Sequence, residues 1–314
     1  MKKAVIALGG NALGQGLGDG RDAMKRAAEG IADILEDGWD VLIVHGNGPQ
    51  VGALLRAMEL LEKSGENPGR ATLSDCVAMS QGYIGNELQS ALLQELRRRG
   101  LRREVATLLT GVEVDAEDTA FADPCKPVGM HVDAQQAYRL ACERGYAMRE
   151  EPLRGWRRVV PSPKPQKICE CEIIRRFVDA GVTLICGGGG GIPVMCDEEG
   201  LLHPVDAVVD KDLVAARLAI DTDADVLLIL TAVEGVYANY GQEDQHLLRE
   251  IPLEKARGMC EVQGLSAGSM LPKVQAAVDF AAQGGQAVIA ALGQAREALQ
   301  GRCGTRIGGD MTIN

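Results

Sequence analysis

The sequence predicts a layered α/β fold built on a mostly parallel sheet, and three observations carry that prediction. Short runs of Val, Ile, Leu and Ala recur at residues 4–8, 41–44, 182–186 and 226–230. They are apolar throughout rather than alternating, which is the pattern of strands covered on both faces. Each run leads into glycine and then into a segment with helical spacing of apolar residues. Aromatic residues make up only 3% of the chain while small aliphatic ones dominate, which suits parallel strands packed between helices.

Taken in order, residues 4–8 form the first strand and end on Gly9, Gly10 and Asn11. Ala27, Ile31, Ile34 and Leu35 share one face of the helix that follows. Residues 41–44 form the second strand, closed by His45 and turning through Gly46, Asn47 and Gly48. Leu54, Leu55, Met58 and Leu61 mark the next helix, and residues 88–96 another. The run at 182–186 opens into Gly187, Gly188, Gly189, Gly190 and Gly191; the run at 226–230 opens into a turn at 231–235. Residues 274–281 read as a further helix. Between 115 and 167 the rhythm breaks, with frequent Pro, Asp, Glu and Arg and helical spacing only over 134–144. An irregular segment of that length in a compact domain is a loose linker or a small inserted subdomain.

At 314 residues the chain can form one large domain or two smaller ones. A formal net charge of −11 argues against nucleic acid or an anionic membrane as the main partner. No apolar run is long enough to span a bilayer, and Met1, Lys2 and Lys3 lead straight into a strand rather than a signal peptide. The nine dispersed cysteines then predict reduced thiols and a cytoplasmic protein. Cys169 and Cys171 lack a second pair at zinc spacing, and His131, His203 and His246 are scattered, so no side-chain metal site is predicted.

The four glycine-rich turns all follow strands, and the carboxyl ends of parallel strands form a ligand crevice. Glycine there lets backbone N–H groups approach an anion, and following helix N-termini add positive potential. One such turn is weak evidence; four on one edge point to a polyanion such as a nucleotide triphosphate. No GxxxxGK[ST] loop occurs, nor any HRD or DFG signature, and GGNALGQG spaces its glycines wrongly for a dinucleotide fingerprint. The crevice also needs cations. Lys126, Lys211 and Lys273 lie in Gly/Pro-punctuated segments, and Lys211 is bracketed by Asp210 and Asp212. A surface charge is the commoner role for any one lysine, but three beside the strand ends fit phosphoryl transfer, which works by electrostatic stabilisation. His45, closing a buried strand, is more often structural than a base.

Eight stretches extend the pattern over nearly the whole chain: ALGGNAL (7–13), HGNGPQVG (45–52), AMSQGYIG (78–85), KPVG (126–129), RRVVPSPKP (157–165), CGGGGGIPV (186–194), VVDKDL (208–213) and GSMLPK (268–273). In these motifs and their order the chain resembles the carbamate kinases of the amino-acid kinase superfamily. The resemblance implies a three-layer αβα sandwich with a protruding subdomain at 115–167, a carbamate lobe over 1–221, a nucleotide lobe over 222–314, and a homodimer. The implied reaction is ATP and carbamate to ADP and carbamoyl phosphate with Mg²⁺, often run toward ATP synthesis in catabolism.

By the same resemblance, Gly9, Gly10 and Asn11 face the transferred phosphoryl, with Gly187, Gly188 and Gly189 nearby. Gly46, Asn47 and Gly48 line the carbamate site with backbone donors. Lys126 reaches over from the subdomain, Lys211 stabilises the phosphoryl, Lys273 holds the nucleotide phosphates, and Asp212 organises the lysines or the metal. Tyr237, Tyr240 and Met270 neighbour the adenosine. Met130 and His131 depart from the family pattern, as do one extra glycine in CGGGGGIPV and the short loop at 15–21. Two other readings stay open: a relative phosphorylating N-acetylglutamate or UMP, and a non-catalytic nucleotide-binding paralogue.

Overall fold

The computed structural model describes residues 2–9, 13–14, 16–18, 20–65, 71–261 and 270–308. An eight-stranded sheet forms its centre: β1 (Lys3–Leu8), β2 (Asp40–His45), β3 (Val105–Thr107), β4 (Thr183–Ile185), β5 (Val226–Thr231), β6 (Glu250–Ile251), β7 (Gln286–Ala291) and β8 (Thr305–Ile307), in the order β6-β8-β7-β5-β1-β2-β4-β3. Every pairing is parallel except β7 with β8. The described α-helices are α1 (Arg21–Glu36), α2 (Gly48–Ser64), α3 (Leu73–Arg99), α4 (Ala134–Arg144), α5 (Cys171–Asp179), α6 (Lys211–Asp221), α7 (Leu253–Glu261), α8 (Met270–Ala281) and α9 (Ala295–Leu299).

The apolar runs are continuous because each strand feeds two cores. Val5 and Ala7 join Leu42, Val44, Leu227 and Ile229 under α5, α6 and α8. Their neighbours Ile6 and Leu8 join Val41, Ile43, Leu228 and Leu230 under α1, α3 and α9. Successive side chains on a strand point to opposite faces, so a sheet covered on both sides needs apolar residues at every position. Each fully buried Val, Leu or Ile contributes about 1.5–3 kcal/mol. The result is the three-layer αβα sandwich.

α3 is the longest helix of the described residues. Thr72 caps its start, accepting from Asp75 N at 3.1 Å while Asp75 Oδ2 accepts from Thr72 N at 2.8 Å, a reciprocal capping box. Arg97, Arg98 and Arg99 occupy its last turn, opposite the helix dipole, and Gly100 ends it at φ 71°.

Outside the main sheet, residues 126–160 build a three-stranded antiparallel sheet from Lys126–Val132, Met148–Glu151 and Gly155–Val160, with α4 alongside. The last strand of the irregular segment, Pro165–Ile168, instead joins a four-stranded sheet with Gly111–Val114, Ile192–Cys196 and Leu202–Pro204. Val128 and Val160 pack on Val51 and Leu55 of α2 and on Val77 of α3, which seats the small sheet over the main one.

Candidate active site

Parallel pairing in register puts the carboxyl ends of the central strands on one edge. Leu8 lies beside His45 on one side and Leu230 on the other, so the turns after β1, β2 and β5 open together. A cleft of about 680 Å³ lies there. Gly9, Gly46, Asn47, Gly48, Gly189, Thr231 and Ala232 form its floor, Lys126, Pro127, Val128 and Arg157 come from the small sheet, and Asp210, Lys211, Asp212, Pro272 and Lys273 complete the wall.

Helix starts supply much of this wall. α2 begins at Gly48 with Pro49 in its first turn, α6 begins at Lys211, and Lys273 lies in the first turn of α8. Unpaired N–H groups and the positive dipole end make such termini favourable for anions. Asp210 caps α6, its Oδ1 accepting from Asp212 N at 2.9 Å. Its Oδ2 accepts from Lys126 Nζ at 2.8 Å, so the cap also ties the small sheet to the cleft. Burial works to raise the Asp210 pKa, but the charge and hydrogen bond of Lys126 and the charge of Lys211 leave it below the usual carboxylate range.

Asp212 is almost wholly buried and takes one lysine on each oxygen, Lys211 on Oδ1 and Lys273 on Oδ2, the latter at 3.1 Å. Counting the cleft's lining side chains, Lys126, Arg157, Lys211 and Lys273 face only Asp210 and Asp212. A chain that is negative overall therefore concentrates a surplus of two positive charges in one cleft. That surplus is what a polyphosphate, or the charge spread over a transferring phosphoryl group, demands.

Lys126, Lys211, Asp212, Lys273, Gly9, Gly46, Asn47, Gly48 and Gly189 thus converge on one cleft. Gly10 and Asn11 lie outside the described residues. The expectation of backbone donors needs correction at three turns. Gly9 N donates to Leu230 O at 3.2 Å, Gly46 N to Leu8 O at 3.0 Å, and Gly187 N to Thr110 Oγ1 at 2.9 Å. For Gly9 and Gly46 the strand ladder simply runs one residue past the strand, so these amides are consumed by the sheet.

What the glycine turn supplies instead is space. A Cβ on Gly188 would stand 2.3 Å from His45 Nε2, one on Gly189 2.2 Å from Asn47 Nδ2, and one on Gly190 1.9 Å from Val209 O. Gly187 and Gly188 are packed behind the cleft rather than lining it. His45 is sealed in the core, where burial lowers its pKa to about 4, the neighbouring Gly46 carbonyl partly opposing and the Lys211 charge adding to the effect. The imidazole is neutral and its role structural.

Tyr237 and Tyr240 stand on and beside the hairpin strand Val236–Ala238, their rings 6.1 Å apart, and Met270 packs against the core at the start of α8. None of the three lines the cleft. Arg157, which the motifs include without a role, does line it and donates from Nε to Gly129 O at 2.9 Å. Ser80, Gln81 and Thr110 also lie behind the site, in hydrogen bonds that no sequence spacing announces.

The residues 2–291 match the model of the amino acid kinase family. The chain is 46% identical over 312 residues to the carbamate kinase of Pyrococcus furiosus, covering 98% of this chain and 99% of that one. It is 47% identical over 308 residues to the carbamate kinase-like protein YqeA of Escherichia coli, covering 98% and 99%. Carbamate kinase from Giardia lamblia bound to AMP-PNP superposes with a TM-score of 0.90 at 40% identity, covering 98% of this chain and 99% of that one. A phosphotransferase fold with a cationic, helix-capped cleft is thus the class of protein at hand. The chain belongs to the amino acid kinase family, on its carbamate kinase branch.

Proposed function

We propose that the protein is a carbamate kinase, transferring a phosphoryl group reversibly between ATP and carbamate. The observation that carries the reading is the Lys211–Asp212–Lys273 arrangement, facing Lys126 and Arg157 across one cleft. In the direction of ATP formation, a terminal oxygen of ADP attacks the phosphorus of carbamoyl phosphate. The bond to the carbamoyl oxygen breaks and carbamate leaves. No proton transfer is needed at the reacting atoms, which agrees with a site built of cations and free of a titrating base.

Lys211, held in place by Asp212, is positioned to meet the phosphoryl in flight, and Lys273 to meet the nucleotide phosphates at the start of α8. Lys126 and Arg157 close on the acceptor from the small sheet. Carbamate binds against β1 and β2, and the nucleotide on the part of the chain after residue 221, with Tyr237, Tyr240 and Met270 toward the adenosine. Gly10 and Asn11 face the transferred phosphoryl in this reading, and the enzyme works as a cytoplasmic homodimer.

Mg²⁺ enters as part of the nucleotide substrate. Among the described residues no three His, Cys, Asp or Glu side chains gather into a metal cage, and both cleft carboxylates are already engaged by lysines. Shared coordination by substrate phosphates is the usual mode for this ion.

The deciding measurement is ATP formation from ADP, Mg²⁺ and carbamoyl phosphate, run beside acetylglutamyl phosphate and UDP as alternative donors. Turnover with carbamoyl phosphate is expected. Turnover only with another donor would reassign the acceptor, and tight nucleotide binding with no turnover would make the chain a binding protein.

A further inference from the structure

A second cavity, of about 140 Å³, lies between α2 and the small antiparallel sheet. It owes its place to a break in strand pairing. The register of Lys126–Val132 against Gly155–Val160 shifts between Val128 and Val132, and Gly129 sits in that interval at φ 72°. Such a bulge bends the strand and takes residues out of the ladder. α2 meets the bulge at Gly52, where a Cβ would stand 3.6 Å from Gly129 Cα. The gap that remains has an apolar lining from Leu55 of α2, Val128, Leu140 of α4 and Met148. Arg158 adds to the wall with its guanidinium 3.7 Å from the centre of the Tyr146 ring and paired with Asp206. Met130 and His131, where the motif departs from the family pattern, line the same space, and His131 Nε2 is bonded to Glu151 Oε2 at 2.9 Å.

Two charges on this wall are not engaged. Arg56, exposed, and Glu59, half-buried, lie one turn apart on α2 and both line the cavity. Among the described residues neither side chain makes an ion pair or a hydrogen bond, although their spacing is one at which such a pair commonly forms. Arg144 of α4 pairs with Glu62 instead, at 2.7 Å. A single unpaired charge on a helix is ordinary solvated surface. One charge of each sign beside an apolar cavity is the complement of a zwitterion that carries an apolar group. The guanidinium fork suits a carboxylate, and the Glu59 carboxylate suits an ammonium. A space of this size takes a group about as large as benzene, which excludes a nucleotide and suits a branched aliphatic side chain.

We propose that this cavity binds a small apolar α-amino acid, its carboxylate on Arg56, its ammonium on Glu59 and its side chain against Leu55, Val128 and Leu140. The bulge couples that site to the cleft. Val128 lines both spaces. Lys126, two residues earlier on the same strand, lines the cleft, and so does Arg157, whose Nε donates to Gly129 O at 2.9 Å. A ligand under the bulge therefore biases the strand that carries Lys126 and holds Arg157, and shifts the affinity of the cleft for the group those two side chains meet. Binding is independent of the carbamate kinase reading; only its effect on carbamoyl phosphate rests on that reading.

Isothermal titration of the full chain with L-valine tests the site without any reaction. Saturable binding at millimolar concentration or below is expected. Isovalerate, which lacks the ammonium, and isobutylamine, which lacks the carboxylate, should each bind about tenfold or more weakly, because one bond to a charged group is lost. Arg56→Gln and Glu59→Gln should each cost L-valine a similar factor while the melting temperature and kcat stay unchanged. Leu140→Trp, which fills the cavity, should abolish binding; if it does not fold, the two α2 variants decide. No saturable binding, equal binding of valine and its two fragments, or binding that the α2 variants retain would overturn the site. In ATP formation, saturating L-valine should move the KM for carbamoyl phosphate about fivefold or more, with the KM for ADP unchanged. An unmoved KM would overturn the coupling. A wild-type enzyme inactive with carbamoyl phosphate would sink the functional reading and leave the titration standing.

Discussion

Lys211→Met separates catalysis from stability at one position. In the folded chain Asp212 carries two lysines, so removing Lys211 leaves the buried carboxylate still paired with Lys273 at 3.1 Å. No charge is orphaned, and the heavy cost of breaking a buried pair, about 3–5 kcal/mol, is avoided. The loss falls on the transition state. A unit positive charge about 4 Å from a developing negative one is worth about 4 kcal/mol at the effective dielectric of a protein site. At 1.36 kcal/mol per decade that is roughly a thousandfold in kcat. The assay is coupled ATP formation from ADP, Mg²⁺ and carbamoyl phosphate, beside a thermal melt of each protein. A kcat within tenfold of wild type would refute the role assigned to Lys211, and so would a thousandfold loss accompanied by a collapsed melting temperature.

Asp212→Asn is the contrasting case, because it takes from buried Lys273 and half-buried Lys211 their shared counter-charge. Activity and stability should fall together, the latter by about 3–5 kcal/mol in denaturant unfolding. Gly189→Ala places a Cβ 2.2 Å from Asn47 Nδ2 at φ 68°, so it should impair carbamoyl phosphate binding and lower the melting temperature; wild-type kinetics would show that the turn yields freely. Acid sensitivity has a component from His45, whose pKa is about 4 when folded against an ordinary 6.5. Because the folded state resists protonation, this contribution is complete above pH 6.5 and is lost as pH falls from 6.5 to 4, amounting to about 3 kcal/mol. Urea midpoints of His45→Gln should be flatter over that window than those of the wild type. Glu95, held near 2 by its hydrogen bond to Arg98, acts only below pH 4.5 and leaves the comparison clean.

The four strands predicted from apolar runs correspond to β1, β2, β4 and β5 to within a residue or two, because burial on both faces writes itself into composition. β7 escaped notice: half of its QAVIAA is alanine, a helix former, and its short antiparallel partner β8 carries too few residues for a period. The strands between 126 and 160 are half exposed and hold Lys126, Arg149, Glu150, Glu151, Arg157 and Arg158, so they lack a continuous apolar signature. α3 was legible only over its second half. In its first half Ser80 and Gln81 face inward to serve Asn47 and Thr110, and polar residues at buried positions erase the stripe by which a helix is recognised. The lysines of the site stood out by their glycine and proline neighbours, whereas Arg157 sits among other arginines and gains its meaning only from the strand that carries it.

β1 is made long before one of its two neighbours in the main sheet. It ends as an inner strand of the main sheet, with β2 on one side and β5 on the other. β2 follows within 45 residues, but β5 begins only at Val226. At about 5–20 residues per second, the stretch between them takes roughly 10–40 s to synthesise. For that interval the open edge of β1, with Ala4, Val5, Ile6, Ala7 and Leu8 all destined for burial, has no native partner. A nascent chain with that exposed edge is a substrate for chaperones and for mispairing. A circular permutant starting ahead of β5 would present β5 and β1 together, and should refold from denaturant with less aggregation than the natural order.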